Sequence, residues 1–483
     1  MNWLEYNDAF YDDDNFDSME EKVRHYQKII RNPAKSKKEW PGIDVIESLV
    51  DYCITTERFK DALEFCVIWL VYLPDSADAY HKRAVILSQL NSPHDAMLSV
   101  DQSIRLDPVN KETLLTKALI YEQLGDIRAG LSIIDAILKD DPGNEDALFR
   151  KAMLLQSLYK SDQALDILLY LENVDYNAEE VYQELAHCYH MLYDYEKSAI
   201  YYEKALDINP YDYLIWYNYG VMFGHKGAIY RSIDCYKTVL AIQEDFQPAL
   251  FNLGNAYAVS SRLVEAIETY SAILTKTPDD IETLFNLAST FADNRQFLSG
   301  IDYYSKVIKL EPTHHQAYFG RGYCFDAIDN FTNALDDYNA ALQFTPSSKV
   351  ILQAKADLLY NIGKIKESLG VYLQALELDP HNEHSLFDAA YVYYELNDLD
   401  NAELYVMNLL DVTYSYSDAW YLLAKIHIGR SNEKKAVKCL LEALRLDSTK
   451  YDDFTAEFPE IVKDFKSFKN LIDKSIIPKK SFF

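Results

Sequence analysis

The sequence predicts an all-α protein: a right-handed α-solenoid of about twelve 34-residue helix-turn-helix units with a helical carboxy-terminal cap. The first observation is a proline that recurs at multiples of 34 residues, at Pro74, Pro108, Pro142, Pro210, Pro278, Pro312, Pro346 and Pro380. The same register continues without proline at Tyr176, Glu244, Tyr414 and Ser448. The repeated units therefore occupy residues 43–450 without an insertion or deletion.

The second observation is the residue type at fixed positions of each unit, counted from 1 to 34 with the proline at position 32. Position 8 is alanine or glycine in every unit except the first, and position 20 is always alanine, glycine or serine. Small residues let the two helices of a unit approach closely. Position 24 is a tyrosine in six successive units, which predicts an aromatic core between neighbouring helices: Tyr202, Tyr236, Tyr270, Tyr304, Tyr338 and Tyr372.

These units resemble the tetratricopeptide repeat (TPR) family, whose pattern is W-x₂-L-G-x₂-Y…A-x₃-F…P. The pattern is matched by Trp216, Tyr219, Gly220, Phe223, Ser232 and Tyr236, and by Leu250, Leu253, Gly254, Tyr257, Ala266, Tyr270 and Pro278. The resemblance implies a superhelix whose first helices line a concave groove through positions 2, 5, 6, 9, 12 and 13. It specifies an architecture, and function has to be sought in the groove.

Composition excludes several classes of partner. The chain has 47 basic and 76 acidic residues, a formal net charge of −29, so it lacks the clustered lysine and arginine that nucleic acids require. No run of 18 apolar residues predicts a membrane helix, and the acidic start does not have the pattern of a secretory signal. We therefore expect a cytoplasmic protein with neither nucleic acid nor membrane among its partners.

The sequence contains no recognisable catalytic, cofactor or metal motif. The six cysteines have no C-x-x-C spacing, and we expect them to be core residues of a protein in a reducing compartment. Phosphate-binding and hydrolase motifs are also missing from the sequence. We expect no enzyme activity, no cofactor and no metal.

The two ends differ from the repeats. Residues 1–42 comprise an acidic aromatic tail, a predicted helix over Glu20 to Arg31 and a basic link. The tail is either a cap over the first unit or a short binding motif. Residues 451–483 are predicted to form a helical cap with inward phenylalanines, ending in a short basic tail.

The middle of the implied groove is predicted to bind a peptide. An asparagine side chain offers a hydrogen-bond donor and an acceptor, so a row of asparagines can pair with the backbone of an extended peptide. The alternative is that these asparagines serve packing or solvation of the repeats. Candidate residues at positions 5, 6 and 9 are Tyr217, Asn218, Phe251, Asn252, Asn255, Phe285, Asn286, Phe319 and Tyr323.

The first third of the implied groove is acidic. A surface of one sign favours a cationic ligand, so the sequence predicts a partner with a basic segment, against the alternative of a solvated charged face. These carboxylates are Asp44, Glu47, Asp51, Glu112, Asp146, Glu180 and Glu184. Glu184 also stands near His187 and His190, with His225 in the next unit, and we interpret this cluster as a pH-sensitive polar patch in preference to a zinc site.

Taken together, the sequence predicts a non-enzymatic scaffold or adaptor that holds an extended peptide segment of a protein partner. Two alternatives stay open at this point. One is a non-catalytic subunit that positions a partner enzyme, and the other is a homo-oligomeric structural solenoid.

Overall fold

The computed structural model describes residues 18–31 and 40–460, which form α-helices and contain no β-strand. The chain divides into two compact units, Met1–Glu244 and Asp245–Phe483. The predicted acidic tail, nearly all of the basic link and most of the predicted carboxy-terminal cap with its basic tail lie outside the described residues. The all-α helix-turn-helix architecture predicted from the sequence is confirmed.

The first unit contains α1 followed by six helix pairs. The bounds are α1 (Met19–Ile30), α2 (Ile43–Thr55), α3 (Phe59–Tyr72), α4 (Ala77–Gln89), α5 (Pro93–Leu106), α6 (Lys111–Gln123), α7 (Ile127–Asp140), α8 (Glu145–Ser157), α9 (Ser161–Asn173), α10 (Ala178–Met191), α11 (Tyr195–Ile208), α12 (Tyr213–His225) and α13 (Ile229–Ile242). Even-numbered helices are the first helices of their pairs.

The described part of the second unit contains six further pairs followed by the short helix α26. The bounds are α14 (Gln247–Val259), α15 (Leu263–Lys276), α16 (Ile281–Asp293), α17 (Phe297–Leu310), α18 (His315–Ala327), α19 (Phe331–Phe344), α20 (Lys349–Asn361), α21 (Ile365–Leu378), α22 (Glu383–Glu395), α23 (Leu399–Val412), α24 (Ser417–Gly429), α25 (Glu433–Leu446) and α26 (Lys450–Glu457).

Each pair turns at a residue with left-handed backbone, always at position 15. Left-handed backbone is uncommon outside glycine, asparagine and aspartate, because the Cβ atom approaches the backbone. Here φ lies between 55° and 80° at Glu57, Asn91, Gly125, Tyr159, Tyr193, Gly227, Ser261, Arg295, Asp329, Gly363, Asn397 and Ser431. Close packing of the two helices therefore imposes this conformation even on large residues.

The recurrent proline favours the end of the second helix through the residue before it, although pairs without the proline end in the same conformation, as at Gln243 and Thr413. A residue that precedes proline is pushed out of the helical region into an extended conformation. Asp107 has φ −135° and ψ 92°, and Asn209 has φ −130° and ψ 86°. The second helix therefore stops two residues before the proline, and the chain turns into the next pair.

The tyrosines at position 24 are core residues, as predicted, with 1–4% of their surface exposed. Three of them lie against a glycine at position 8 of the same pair: a Cβ atom at Gly220, Gly254 or Gly322 would come within 2.6–2.9 Å of the tyrosine ring. In the pair that has Ala288 at position 8, the ring of Tyr304 lies against Gly320 of the next pair instead. Glycine thus provides the space that each of these rings fills.

Small residues at position 20 also lie where the two helices of a pair meet. The Ser198 hydroxyl donates to the carbonyl of Ala186, and the Ser232 hydroxyl donates to the carbonyl of Gly220, both at 2.8 Å. A Cβ atom at Gly130 would lie only 3.1 Å from the carbonyl oxygen of Ala118. The predicted close approach of the helices is confirmed.

All six cysteines are buried free thiols, as expected for core residues. Burial raises the pKa of the Cys66 thiol to about 12 and that of Cys53 to about 11, so both stay protonated near neutral pH. Among residues 18–31 and 40–460, no helix has the length and apolar character needed to cross a membrane.

Candidate peptide-binding surface on the first helices

The first helices of successive pairs contact one another within each unit. In the first unit α4 meets α6, α6 meets α8, α8 meets α10 and α10 meets α12; in the second unit α14 meets α16 and α16 meets α18. Second helices of successive pairs make fewer such contacts. The first helices therefore lie on the inner side of each stack, and we call the surface they form the inner surface.

Polar side chains on the inner surface bond from one pair to the next at repeated positions. Position 9 bonds to position 6 of the next pair, and position 12 bonds to position 13. The first kind joins Asp51 to Lys82 at 2.8 Å and Asn255 to Asn286 at 3.1 Å; the second kind joins Ser88 to Gln123, Glu122 to Ser157 and His190 to His225, at 2.7–2.8 Å. These bonds hold polar groups of adjacent pairs in fixed orientations.

We use the name amide surface for the predicted peptide-binding residues of the second unit, which are Phe251, Asn252, Asn255, Phe285, Asn286, Phe319 and Tyr323. The Oδ1 atom of Asn255 accepts two hydrogen bonds, from the Tyr270 hydroxyl at 2.5 Å and from Nδ2 of Asn286 at 3.1 Å. Within the described chain, Nδ2 of Asn255 donates no hydrogen bond and Oδ1 of Asn286 accepts none. This fixed pair therefore presents one donor and one acceptor, the two groups that a peptide backbone requires.

The aromatic residues at position 5 are half-buried because each packs on the tyrosine at position 24 of its own pair. The ring centroids are 6.2 Å apart for Phe251 and Tyr270, 5.7 Å for Phe285 and Tyr304, and 5.8 Å for Phe319 and Tyr338. Tyr323 differs, with 52% of its surface exposed. The position 5 rings are thus partly covered by the tyrosine core, and Tyr323 is the accessible ring.

Two candidate residues lie in the other unit. Asn218, which is exposed, and Tyr217, which is half-buried, belong to the first unit. Tyr217 repeats the packing seen in the second unit, since its ring lies 6.0 Å from that of Tyr236. The other seven candidates belong to the second unit.

The predicted acidic residues all lie in the first unit, and most are exposed. Asp51 forms an ion pair with Lys82 at 2.8 Å, and Asp146 accepts from the Tyr176 hydroxyl at 2.6 Å. Glu184 is half-buried; desolvation raises its pKa to about 7, and the nearby charges of Glu180 and Glu122 add to this effect. The exposed members are Asp44, Asp51, Glu112, Asp146 and Glu180, while Glu47 and Glu184 are half-buried.

The histidine cluster separates into two hydrogen-bonded groups. His187 Nδ1 is 3.0 Å from Oε1 of Gln156, whose Nε2 donates to Cys188 Sγ at 3.1 Å. His190 Nε2 is 2.7 Å from Nδ1 of His225. Within the described ranges no three His, Cys, Asp or Glu side chains are arranged to hold a metal ion.

Glu184 and His190 should give the free energy of unfolding opposite dependences on pH. The pKa of Glu184 is raised from 4.5 to about 7, so the stability that its protonated form contributes is present at low pH and lost as pH rises through 7. The pKa of His190 is lowered to about 4, first by burial and then by His225 and His187. The stability of its neutral form is therefore present above pH 6.5 and lost as pH falls towards 4.

We accordingly expect Glu184→Gln to abolish part of the loss of stability as pH rises from about 4.5 to 7, and His190→Gln to abolish part of the loss as pH falls from about 6.5 to 4. Urea unfolding of the wild type and both variants across this range measures the two slopes. Slopes that match the wild type in both variants would contradict the assignment.

The structure adds a polar group in the second unit that the sequence analysis did not single out. Nε2 of Gln353 donates to Asp357 at 3.0 Å and to Asp388 at 2.7 Å, and the Tyr372 hydroxyl donates to Asp357 at 2.6 Å. Desolvation raises the pKa of Asp388 to about 6. Gln353, Asp357 and Asp388 occupy positions 5, 9 and 6, so the same position-by-position inspection of the later repeats could have found them.

Comparison with known proteins identifies the repeats. Three sequence profiles described as tetratricopeptide repeat match the chain: one over residues 231–281, 285–349 and 354–411, one over residues 179–212 and one over residues 417–450. Together they cover about half of the sequence. No curated protein matches the chain.

Similar solved structures include YrrB, described as a TPR protein with an unusual peptide-binding site, with 18% identity over 38% of this chain and 94% of that one and a TM-score of 0.35. The APC/C hetero-tetramer Cut9-Hcn1 matches with 12% identity over 84% of this chain and 94% of that one, with a TM-score of 0.38. A tetratricopeptide repeat protein from Parabacteroides merdae matches with 15% identity over 52% of this chain and 99% of that one, with a TM-score of 0.41. At such low identities and TM-scores, none of these likenesses bears on the ligand of this chain.

Proposed function

Because the chain belongs to the tetratricopeptide repeat family, we propose that it is a non-enzymatic scaffold or adaptor that binds an extended segment of a protein partner on its inner surface. Members of this family generally act as protein-interaction scaffolds. The single observation that carries the proposal is the hydrogen-bonded pair of Asn255 and Asn286, which offers one donor and one acceptor in a fixed orientation.

The Asn255–Asn286 pair can hydrogen-bond to the backbone of an extended peptide whatever its side chains are. Asn255 cannot rotate without losing two hydrogen bonds, so little conformational entropy is lost when a ligand binds. The half-buried rings of Phe251 and Phe285 stand on the same helices as the two asparagines, and the exposed ring of Tyr323 lies on the next first helix. Apolar side chains of the partner would contact these rings while its backbone bonds to the amides.

Charge supports a basic segment in the partner. The first unit exposes five of the predicted carboxylates on its first helices, and the chain carries a net charge of −29. In the second unit Asp357 and Asp388 add half-buried carboxylates. Exposed charges of one sign attract an oppositely charged segment over about 10 Å at 0.1 M ionic strength, so association should slow as salt is added. The described cysteines are all free thiols, and the proposal places the scaffold in the cytoplasm.

Peptide selection followed by affinity measurement tests this proposal. The full chain is used to select binders from a random peptide display library, and the affinity of the best peptide is measured by fluorescence anisotropy. We expect Asn286→Ala and the isosteric Asn255→Asp each to weaken binding about 5-fold or more, because each removes a hydrogen bond worth about 1 kcal/mol. Asn255→Asp keeps the oxygen that accepts from Tyr270.

Asn333→Ala is the matched control, since Asn333 is an exposed asparagine on the second helix α19. Its affinity should equal that of the wild type. Unchanged affinity in both Asn255→Asp and Asn286→Ala, with unchanged helicity, would remove the amide surface from the account. Asn218→Ala in the same assay reports whether the peptide also contacts the first unit.

A further inference from the structure

A pocket of about 550 Å³ opens in the second unit between the first helices α22 and α24 and the short helix α26. Phe387 and Leu422 give it apolar walls, and Lys425 and Glu457 are charged residues in its lining. It lies at the last helix pair, away from the amide surface on α14, α16 and α18. Neither the sequence analysis nor the proposed function uses it.

Lys425 is a buried cation inside a group of tyrosines. Only 8% of its surface is exposed. Its ammonium nitrogen lies 5.1 Å from the ring centroid of Tyr394, 5.7 Å from that of Tyr421 and 5.8 Å from that of Tyr391. Aromatic faces attract a cation but do not neutralise it, and a buried charge is costly without a counter-ion. This site therefore requires an anion.

Glu457 supplies that anion from within the chain. Its Oε1 lies 2.5 Å from Nζ of Lys425, and its Oε2 accepts from the Tyr421 hydroxyl at 2.8 Å. Each carboxylate oxygen thus has its own donor, and both donors stand on α24. The other lysine of the pocket, Lys450, already pairs with Asp418 at 2.8 Å and with Asp453 at 3.2 Å, which leaves Lys425 as the cation that holds Glu457.

Glu457 is held less firmly in the structure than the two residues that bind its carboxylate. Lys425 and Tyr421 are buried on α24, inside the helix stack. Glu457 is the last residue of α26, a helix of eight residues, and 40% of its side chain is exposed. Phe454 is the one residue that α26 buries. Because α26 follows the last helix pair and buries a single residue, it can separate from the stack at lower cost than a helix inside it.

We propose that this pocket is a carboxylate-binding site, held by Glu457 in the free chain, that accepts an acidic side chain of a protein partner next to an aromatic or aliphatic residue. The exchange conserves charge, since one carboxylate replaces another on Lys425 and Tyr421. The apolar walls contributed by Phe387 and Leu422 suit the neighbouring apolar side chain, as Ala456 and Phe458 flank Glu457 in this chain. The inference rests on the proposed scaffold function and adds a second contact of stated chemistry.

The test uses the full chain and a short probe, acetyl-Ala-Glu-(4-fluoro-Phe)-amide, observed by fluorine NMR. Its matched control is the glutamine analogue, which is neutral and has the same shape. We expect Glu457→Ala to bind the probe at least tenfold more tightly than the wild type does, because the internal competitor is gone. Adding Lys425→Met to Glu457→Ala should abolish this gain, and the glutamine analogue should not bind.

Two further variants keep the outcome interpretable. Glu457→Gln removes the charge with little change of shape, and it replaces Glu457→Ala if the latter loses helicity. Asp452→Ala alters an exposed residue of the same helix outside the pocket lining, so it should bind the probe as the wild type does. No gain in either Glu457 variant, or a gain that survives Lys425→Met, would overturn the proposal.

The source of the carboxylate is tested in parallel with acetyl-Ala-(4-fluoro-Phe), which carries a free terminal carboxylate. Tighter binding of this probe than of the glutamate probe would overturn the assignment to an acidic side chain. These results are independent of the Asn255 and Asn286 variants, so failure of the pocket and failure of the amide surface are distinguishable.

Discussion

Replacing Tyr270 by alanine is expected to lower the free energy of unfolding of the second unit by about 3–5 kcal/mol. The ring is 1% exposed and fills the space beside Gly254, where even a Cβ atom would come within 2.6 Å of it. Its hydroxyl also donates to Asn255. The substitution therefore leaves a cavity in the core and removes a hydrogen bond that orients the amide surface. Urea unfolding followed by circular dichroism measures the loss.

Tyr323→Ala is the control for this prediction, because the Tyr323 side chain is 52% exposed and its removal leaves no cavity. We expect it to change stability by less than about 0.5 kcal/mol. Gly254→Ala should cost about 1–3 kcal/mol, since the added methyl group forces the ring of Tyr270 to move. A loss of stability for Tyr270→Ala as small as that expected for Tyr323→Ala would contradict the stabilising role of the tyrosine core.

Asp337→Asn is expected to destabilise the second unit by about 3–5 kcal/mol, the usual cost of breaking a buried ion pair. Two guanidinium nitrogens of Arg321 each donate to one oxygen of Asp337 at 2.8 Å, and a third donates to Ser305 at 3.0 Å. Only 7% of the Asp337 side chain is exposed. The variant leaves the guanidinium half-buried without its anion. Thermal and urea unfolding measure the effect.

Asp379→Asn is the matched control. Asp379 pairs with Lys349 at 2.9 Å, but 33% and 50% of the two side chains are exposed, so solvent screens this pair and breaking it should cost far less. The double variant Arg321→Met, Asp337→Leu should recover most of the stability lost in Asp337→Asn, because no unpaired charge is left. A loss as small for Asp337→Asn as for Asp379→Asn would contradict the assignment.

Residues with one dominant steric role could be identified from the sequence. The 34-residue proline spacing and the small residues at positions 8 and 20 predict helix pairs in close contact, because a proline breaks a helix and a large residue would separate two helices. The tyrosines at position 24 were predicted to be core, and they are. These features depend on local sterics that recur in each repeat.

Features that depend on partners elsewhere could not be predicted. The left-handed turn falls on Tyr159 and Arg295 as well as on Gly227, and these residue types alone give no signal for it. The ring of Tyr304 lies against Gly320 of the next pair, a contact that the repeat pattern within one pair does not indicate. Helix packing imposes both outcomes on the backbone and side chains.

The candidate site was predicted only in outline. Reading groove positions found Asn255 and Asn286, but their mutual hydrogen bond and the bond from Tyr270 need three-dimensional proximity. The position 5 rings, predicted to line a groove, are half-buried by their contacts with position 24. Glu457 lies after the last repeat, so repeat-based reasoning gave no reason to pair it with Lys425.

The measurement that tests the central claim most directly is hydroxyl-radical footprinting of the full chain with and without a bound peptide or partner. Tyr323 and Val259 are exposed on first helices, whereas Val264 and Leu298 are exposed on second helices of the same unit. If the partner binds the inner surface, oxidation of Tyr323 and Val259 should fall on binding while that of Val264 and Leu298 stays constant. Protection of Val264 and Leu298, with Tyr323 and Val259 still fully oxidised, would contradict the account.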